Sequence, residues 1–230
     1  MTESGALKKV SISEHAGRLS EPFTMIDMAE IDDLALSIFL CQGTMPHHRH
    51  LDQDELFLVH SGTVSLESDW GTMILRPGEL SVAPKGLRHR SSSLLHSTVL
   101  LLQPRLMVNR RNGDRRLFAL KGESRLEKVN VPAMGRQIVT PFRPITLANV
   151  DTFDLTIMRC LDTGPWTQTG RQQSLVLCFD GRLTIDTDEE QVSLGDAELV
   201  VLPNGTRHRL SSVEGALVLG VQRHQPLVRP

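Results

Sequence analysis

Tyrosine is absent from this chain of 230 residues, and only 4% of its residues are aromatic. A mechanism that relies on a phenolic acid or base is therefore excluded. Cysteine is scarce as well, because Cys41, Cys160 and Cys178 are the full set and form no CxxC pair. This usage fits reduced thiols that are buried as small apolar groups, and we assign them no catalytic role.

The chain also lacks an excess of charge and any long apolar run. Its formal net charge is −2, which gives no field that would attract a polyanion, so we expect no nucleic-acid partner. No apolar run approaches the roughly 18 residues of a membrane span, and the first ten residues, MTESGALKKV, contain no signal-peptide core. We therefore expect a cytoplasmic protein that makes no membrane contact and acts on small molecules.

The chain does contain an internal sequence repeat, with two copies of one unit. An offset of 119 residues aligns residues 22–103 with the second half of the chain without a gap. The match is closest where GELSVAPKGLRHRSSS, from Gly78, lies over AELVVLPNGTRHRLSS, from Ala197. Two copies are too few for a solenoid, so each must be a self-sufficient domain. We predict an N-terminal domain at residues 1–110 and a C-terminal domain at residues 111–230.

The pattern within each copy predicts strands. Short alternating runs such as residues 56–59 and 63–66 are separated by turn residues, and almost no apolar periodicity near 3.6 is present. The predicted fold class is all-β, with two tandem antiparallel β-barrel or jelly-roll domains. Between the copies, residues 104–121 form a basic stretch, which we interpret as a solvated connection.

The stretch HHRHLDQDE, residues 47–55, concentrates three histidines and three acids. His48 and His50 are two positions apart, so a strand would place both side chains on the same face, inside a small barrel. Glu55 opens the next strand, and His89 follows a later turn. Three neutral imidazoles and a carboxylate suit a divalent transition metal, namely Fe, Mn, Ni, Co or Zn. We predict one such ion per chain, with one or two positions left for water or substrate.

Two runs of the first copy resemble the two motifs of the cupin superfamily: His48-x-His50-x4-Glu55-x6-Gly62 and Gly78-x5-Pro84-x-Gly86-x2-His89. Both copies share the pattern, so the chain is similar to a bicupin, and residues 54–86 resemble bicupins related to homogentisate dioxygenase. In that superfamily the His, His, Glu and His of the motifs bind the metal, which implies the ligands His48, His50, Glu55 and His89. The resemblance implies no single reaction, because one fold serves many chemistries.

The second copy lacks most of these candidate ligands. The counterparts of His48, His50 and Glu55 are hydroxyl residues, and only His89 keeps a histidine: the set is Thr167, Thr169, Ser174 and His208. This donor set is too weak for a transition ion, so we predict a metal site in the N-terminal domain alone.

Residues near the lost site, and residues that both copies share, lead to two further expectations. Trp166, Gln168, Arg171 and Gln173 could line a metal-free ligand pocket or plug the barrel, and we favour the plug. Arginines recur in both copies and are expected to serve the fold through ion pairs: Arg88 with Arg207, and Arg90 with Arg209.

Two functional hypotheses follow. The first is a metal-dependent enzyme acting on a small molecule, an oxidoreductase of the dioxygenase type if the metal is iron, in which Glu55 leaves the metal or accepts a proton. The second is a non-catalytic protein whose metal anchors a small-molecule ligand. In either case we expect a homodimer, the commonest assembly of soluble proteins.

Overall fold

The computed structural model describes residues 6–105 and 125–224 of the chain. The first copy contains β1 (Val10–Ser11), α1 (Ile12–Ala16), β2 (Met25–Ile31), β3 (Leu34–Thr44), β4 (Glu55–Ser61), β5 (Val64–Ser68), β6 (Gly71–Leu75), β7 (Glu79–Ala83) and β8 (His89–Pro104). The second copy contains β9 (Val129–Asn130), α2 (Val131–Gln137), β10 (Ile145–Val150), β11 (Phe153–Thr163), β12 (Thr167–Gln168), β13 (Ser174–Gly181), β14 (Leu183–Thr187), β15 (Gln191–Leu194), β16 (Glu198–Leu202) and β17 (Arg207–Arg223). The predicted all-β class is confirmed.

The strands form two sheets in which the named strands pair antiparallel. One sheet has the order β2-β3-β8-β4-β7-β9, with β5 pairing both β6 and β8. The other has the order β1-β16-β13-β17-β11-β10, with β14 and β12 also pairing β17. The long strand β8 pairs β3 along most of its length, β4 through its second half and β5 through its first half, where His89 lies opposite Ser68.

The chain divides into two compact units, which we call the N-terminal barrel (Ser13–Met134) and the C-terminal barrel (Met1–Ile12 with Gly135–Pro230). Strand β1 pairs β16 of the C-terminal barrel, and β9 pairs β7 of the N-terminal barrel. Because β1 and β9 are counterparts at the offset of 119, each barrel takes an edge strand from the other copy. The ranges 1–110 and 111–230 remain our proposal for the two sequence copies. The compact units differ from these ranges, because each unit includes a segment of the other copy.

The exchanged segments are held by apolar burial and by matching hydrogen bonds. Ile12 is 2% exposed and its counterpart Val131 is fully buried. The backbone N–H of Ile12 donates to the carbonyl of Ala197, and that of Val131 donates to the carbonyl of Gly78, both at 2.9 Å. Since these acceptors are also counterparts, the short edge strand and the first residue of the helix that follows it are bound in the same way in both barrels.

Each barrel has its own apolar core. Phe39, Phe57, Leu66 and Val99 are among the core of the N-terminal barrel, and Val176, Leu183, Ile185 and Val218 are among that of the C-terminal barrel. The three cysteines are free and buried, as predicted from the sequence. Burial raises the pKa of Cys41 to about 11 and those of Cys160 and Cys178 to about 12. The thiols therefore stay protonated near neutral pH and are poor nucleophiles.

The shared arginines form the predicted ion pairs, and the pairs themselves are duplicated. They are Arg90 with Glu67 at 2.7 Å, Arg88 with Asp69 at 3.9 Å, Arg209 with Asp186 at 2.8 Å and Arg207 with Asp188 at 2.8 Å. The acidic partners are related by the offset of 119, as the arginines are. Both members of each pair are at least partly exposed, so each pair contributes little to the free energy of unfolding and mainly fixes the position of its strand ends.

Most of the basic connection predicted at residues 104–121 lies outside the described residues. The longest described helix is α2, with seven residues, and none of the helices in the described ranges is suited to crossing a lipid bilayer.

Gly62 ends the first motif and occupies a position that no other residue fits. Its φ is +80°, and a Cβ there would lie 2.8 Å from the Cα of Ser97 and closer still to its hydroxyl. Ser97 is fully buried and its hydroxyl accepts a hydrogen bond from the N–H of Thr63, so it has little freedom to move. We expect Gly62→Ala to lower the free energy of unfolding by about 2–5 kcal/mol, measured by urea denaturation.

Gly43 provides the matched control for this substitution. Its φ is +88°, close to that of Gly62, but a Cβ there would meet no atom within 4 Å. Gly43→Ala therefore adds backbone strain without a steric clash, and we expect a loss of only about 1–2 kcal/mol. Equal losses in the two variants would contradict the steric role assigned to Ser97.

Candidate metal centre

The backbone places His48 directly opposite His89. The N–H of His48 donates to the carbonyl of His89 at 3.0 Å, and the N–H of His89 donates to the carbonyl of His48 at 2.9 Å. The expected strand at residues 48–50 is present only as an isolated bridge at His48, and His50 lies outside any strand. His50 is held instead by its carbonyl, which accepts a hydrogen bond of 2.6 Å from Gly86 N–H. The glycine turn thus performs the positioning that a strand was expected to provide.

Four side chains predicted from the sequence meet at this point. Ligand atoms of His48, His50, Glu55 and His89 all lie within 4.8 Å of one another. The Nε2 atom of His89 is 2.8 Å from Glu55 Oε2, that of His50 is 3.2 Å from Glu55 Oε1, and that of His48 is 4.0 Å from Glu55 Oε2. Three imidazole nitrogens and one carboxylate converging in this way can hold a divalent transition metal.

Two of the imidazole rings are oriented by backbone carbonyls outside the cluster. The Nδ1 atom of His48 lies 3.0 Å from the carbonyl oxygen of Pro46, and that of His89 lies 3.0 Å from the carbonyl oxygen of Leu87. A carbonyl accepts only, so Nδ1 is the donor in each of these contacts, and Nε2 is the ring nitrogen that faces the cluster. Such outer contacts fix the tautomer that a metal requires.

The third ring, that of His50, is oriented by Gln53, which sequence reasoning did not single out. The side-chain amide of Gln53 is 6% exposed and lies 3.3 Å from Nδ1 of His50. Two buried atoms of this pair have no hydrogen-bond partner, Gln53 Oε1 and His50 Nε2. With the amide turned so that Oε1 accepts from Nδ1–H, Oε1 of Gln53 gains a partner and Nε2 of His50 is free to bind a metal. The unpartnered Nε2 is the observation that best fits a cation at this point.

The electrostatics of the cluster also suit a cation. Burial of Glu55 raises its pKa, but the contacts of the carboxylate with the imidazoles of His50 and His89 outweigh burial and lower the pKa to about 2. The carboxylate is therefore ionised throughout the neutral range. The contact with the Glu55 carboxylate raises the pKa of His50. A metal that binds here competes with the proton for that imidazole.

The cluster is open on one side. The side chains of His48 and His50 are 32% and 31% exposed, whereas those of His89 and Glu55 are 2% and 6% exposed. The Phe57 ring lies against His89, with 5.9 Å between the ring centroids, and forms part of the apolar wall beneath the cluster. A small molecule can thus reach the cluster from the His48 and His50 side.

The equivalent position in the C-terminal barrel retains the backbone pairing but lacks most of the metal-ligating side chains. Thr167 lies opposite His208 as His48 lies opposite His89, and Nδ1 of His208 is 3.1 Å from the Thr206 carbonyl. The backbone differs as well, because the N–H of Gly205 donates to the carbonyl of Gly170, one residue beyond the counterpart of His50. Among the described residues, only the N-terminal barrel has a cluster of three or more histidine, cysteine or acidic side chains that could hold a metal.

The comparisons with known proteins agree with this division. A family model described as a cupin domain matches residues 37–100, a range that contains all four candidate ligands. The Uncharacterized protein YdbB of Bacillus subtilis (strain 168) is 27% identical over 89 residues, which cover 38% of this chain and 79% of that protein.

Solved structures match nearly the whole chain. The Cupin 2 conserved barrel domain protein from Leptotrichia buccalis superposes with a TM-score of 0.73 at 10% identity, over 97% of this chain and 100% of that one. Salicylate 1,2-dioxygenase from Pseudaminobacter salicylatoxidans also gives 0.73, at 12% identity, over 96% of this chain and 84% of that one. At this level of identity the likeness concerns the fold, and it extends over both barrels.

Proposed function

Because this chain belongs to the cupin superfamily and carries an intact donor set in one of its two barrels, we propose that it is a metal-dependent bicupin enzyme acting on a small organic molecule. The N-terminal barrel is the active site in this proposal, and His48, His50, Glu55 and His89 are the metal ligands. The observation that carries it is the convergence of four donors beside two partly exposed imidazoles. A purely structural site would be closed to solvent on all sides.

The charge of the donor set suggests the kind of substrate. Three neutral imidazoles and one carboxylate around a divalent cation leave a net charge of +1, which favours a substrate that offers anionic or adjacent oxygen atoms. When bound, the ion would supply Lewis-acid polarisation of such an oxygen, and oxygen activation if it is iron. The histidines hold their Nε2 lone pairs in place, and Phe57 excludes water from the buried side.

Glu55 is proposed as the catalytic residue as well as a ligand. Its low pKa favours the role of a permanent anion, since a good general base has a pKa near the working pH. The contacts with His50 and His89 maintain that low value, so a loosened contact raises the proton affinity of the carboxylate. Proton transfer by Glu55 is thus expected only when substrate displaces it from one of these imidazoles.

A dioxygenase reaction is the finer proposal. It is supported by the likeness in fold to salicylate 1,2-dioxygenase, a protein for which variants are known in complex with gentisate. The likeness is one of architecture, and a fold by itself does not specify a reaction. Cytoplasmic location and a homodimer remain predictions from the sequence.

The test begins with metal analysis of the freshly purified protein, followed by anaerobic loading with Fe(II). Oxygen consumption and substrate loss are then measured with gentisate, salicylate and a panel of catechols, diketones, flavonols and 2-oxo acids. We expect one metal per chain and turnover of at least one oxygen-rich substrate, which Glu55→Ala abolishes and Ser174→Ala, its C-terminal counterpart, preserves. A protein that holds one metal and binds a panel member without altering it would instead favour the non-catalytic binding protein.

Gln53 gives a separate prediction about the site. We expect Gln53→Leu to weaken metal binding about 10- to 100-fold, because the His50 ring loses the partner that orients it. The measurement is competition with a chromophoric chelator. Gln53→Glu keeps an oxygen that accepts from Nδ1–H and should restore most of the affinity, which a merely space-filling role for Gln53 would not require.

A further inference from the structure

The C-terminal barrel contains a cavity of about 270 Å³ where a plug was expected. Gln168, Arg171 and Gln173 line this cavity rather than filling it. Trp166 lies outside the lining, and the guanidinium groups of Arg207 and Arg209 lie over its ring at 4.3 and 5.0 Å from the centroid. The expectation of a plug is therefore wrong for these glutamines and Arg171, and Trp166 is partly exposed and packs against the two arginines.

The cavity occupies the place that the metal cluster occupies in the other barrel. All four counterparts of the candidate ligands line it, namely Thr167, Thr169, Ser174 and His208. The hydroxyl of Thr169 is already bonded to the backbone, since it donates to the Pro203 carbonyl at 2.6 Å and accepts from the Thr206 N–H at 2.8 Å. Burial lowers the pKa of His208, so its ring is neutral near pH 7. These four side chains are too weak as donors to bind a transition metal, but the cavity between them is present.

The charge around this space is opposite to that of the metal cluster. Residues 50–55, which hold two candidate ligands, read HLDQDE and have a formal charge of −3 with neutral histidine. Their counterparts, residues 169–174, read TGRQQS and have a formal charge of +1. Asp52 is replaced by Arg171, Asp54 by Gln173 and Glu55 by Ser174. A loop suited to a cation has thus become one suited to an anion.

The rest of the lining agrees with this reversal. Arg223 is a second cation in the lining, held by a hydrogen bond of 2.8 Å from its Nη1 to the Thr152 hydroxyl. Among the described residues that line the cavity, none is aspartate or glutamate. Arg171 is exposed, so it lies where the cavity meets solvent.

The inner wall is apolar and sets the size of the guest. Phe142, Met158, Val176 and Leu210 line the inner part of the cavity. An apolar cavity of about 150 Å³ accommodates benzene, so the present one has room for a single ring with a charged substituent. Polar groups at one end and an apolar wall at the other are typical of small-molecule sites.

We propose that the C-terminal barrel is a metal-independent binding site for a small organic carboxylate with a compact apolar body. The carboxylate faces Arg171 and the glutamine amides, and the apolar body lies against Phe142 and Met158. The site is independent of the N-terminal metal cluster and of the reaction proposed for it.

Benzoate is the probe for this site, titrated by calorimetry into the full-length chain with and without EDTA. We expect one benzoate per chain, with the same affinity in both conditions. Arg171→Gln should weaken binding about tenfold, as expected for the loss of one charge-assisted hydrogen bond. Arg136→Gln, an exposed arginine that does not line the cavity, should leave it unchanged, and neutral benzamide should bind about tenfold more weakly than benzoate.

A second variant fills the cavity with a bulky side chain. Ser174→Phe places a ring in the space and should abolish binding, and Arg171→Gln, an exposed substitution, reports on the same site if that variant fails to fold. The proposal is overturned if benzoate does not bind at millimolar concentrations, if EDTA removes binding, or if Arg171→Gln binds benzoate as tightly as the unaltered chain.

Discussion

Replacement of His89 with alanine is expected to lower the affinity of the chain for a divalent transition metal by at least about 100-fold. The substitution removes a buried donor whose Nε2 lies 2.8 Å from Glu55 and whose tautomer is fixed by the Leu87 carbonyl. Loss of an outer-shell partner alone typically costs 10- to 100-fold, so loss of the ligand itself costs more. Metal content after dialysis against a weak chelator, with one ion per chain as the reference, is the measurement.

The duplicated chain supplies the control for this experiment. His208 is the counterpart of His89 and makes the same Nδ1 contact, at 3.1 Å from the Thr206 carbonyl, but it has a single hydroxyl partner at Nε2 instead of a carboxylate. We expect His208→Ala to leave the metal content at one ion per chain. A loss of metal in this variant, or full retention in His89→Ala, would contradict the placement of the site in the N-terminal barrel.

Cutting the chain at residue 110 is expected to destroy the N-terminal barrel, although the fragment 1–110 keeps all four candidate ligands. The cut removes β9 together with Leu126 and Val131, which are 7% and 0% exposed. Loss of two buried aliphatic side chains costs about 2–5 kcal/mol each. Since the whole stability of a domain is about 5–15 kcal/mol, we expect the fragment to show no cooperative unfolding transition by circular dichroism.

The fragment 13–134 is the matched comparison, since it has nearly the same length but follows the compact unit. It contains β9, Leu126 and Val131, and of the strands β1 to β9 it lacks β1 alone, which pairs in the other barrel. We expect it to unfold cooperatively and to bind one metal ion. Cooperative unfolding of 1–110 with the stability of 13–134 would show that the exchanged strand is dispensable.

The sequence was sufficient to predict the fold class and to bring the four candidate ligands together. Strand alternation and turn residues recur at the same positions in both copies, so the strand prediction for each copy supported the prediction for the other. The ligand spacing is local, because His48 and His50 lie in one short segment and Glu55 starts β4. His89 joins them through a pairing that a turn with a positive-φ glycine, Gly86, makes possible.

Three features depend on three-dimensional geometry and could not be predicted from the sequence. The exchange of β1 and β9 could not be predicted, because β7 and β16 are copies of one another and either could accept either strand. Gln53 gave no signal, since a glutamine in a polar loop looks solvent-exposed until burial is known. The cavity of the C-terminal barrel depends on where Trp166 is held and on the one-residue shift at Gly170, and neither is visible in residue types.

The strand exchange also determines the order in which the polypeptide can fold during synthesis on the ribosome. The sheet of the first barrel is complete only after β9 has been translated, and β1 can pair with β16 only after the segment around Leu199 emerges. An unpaired edge that waits for most of translation is available to a neighbouring nascent chain. Exchange of this strand between two nascent chains is the misassembly that we expect from this architecture.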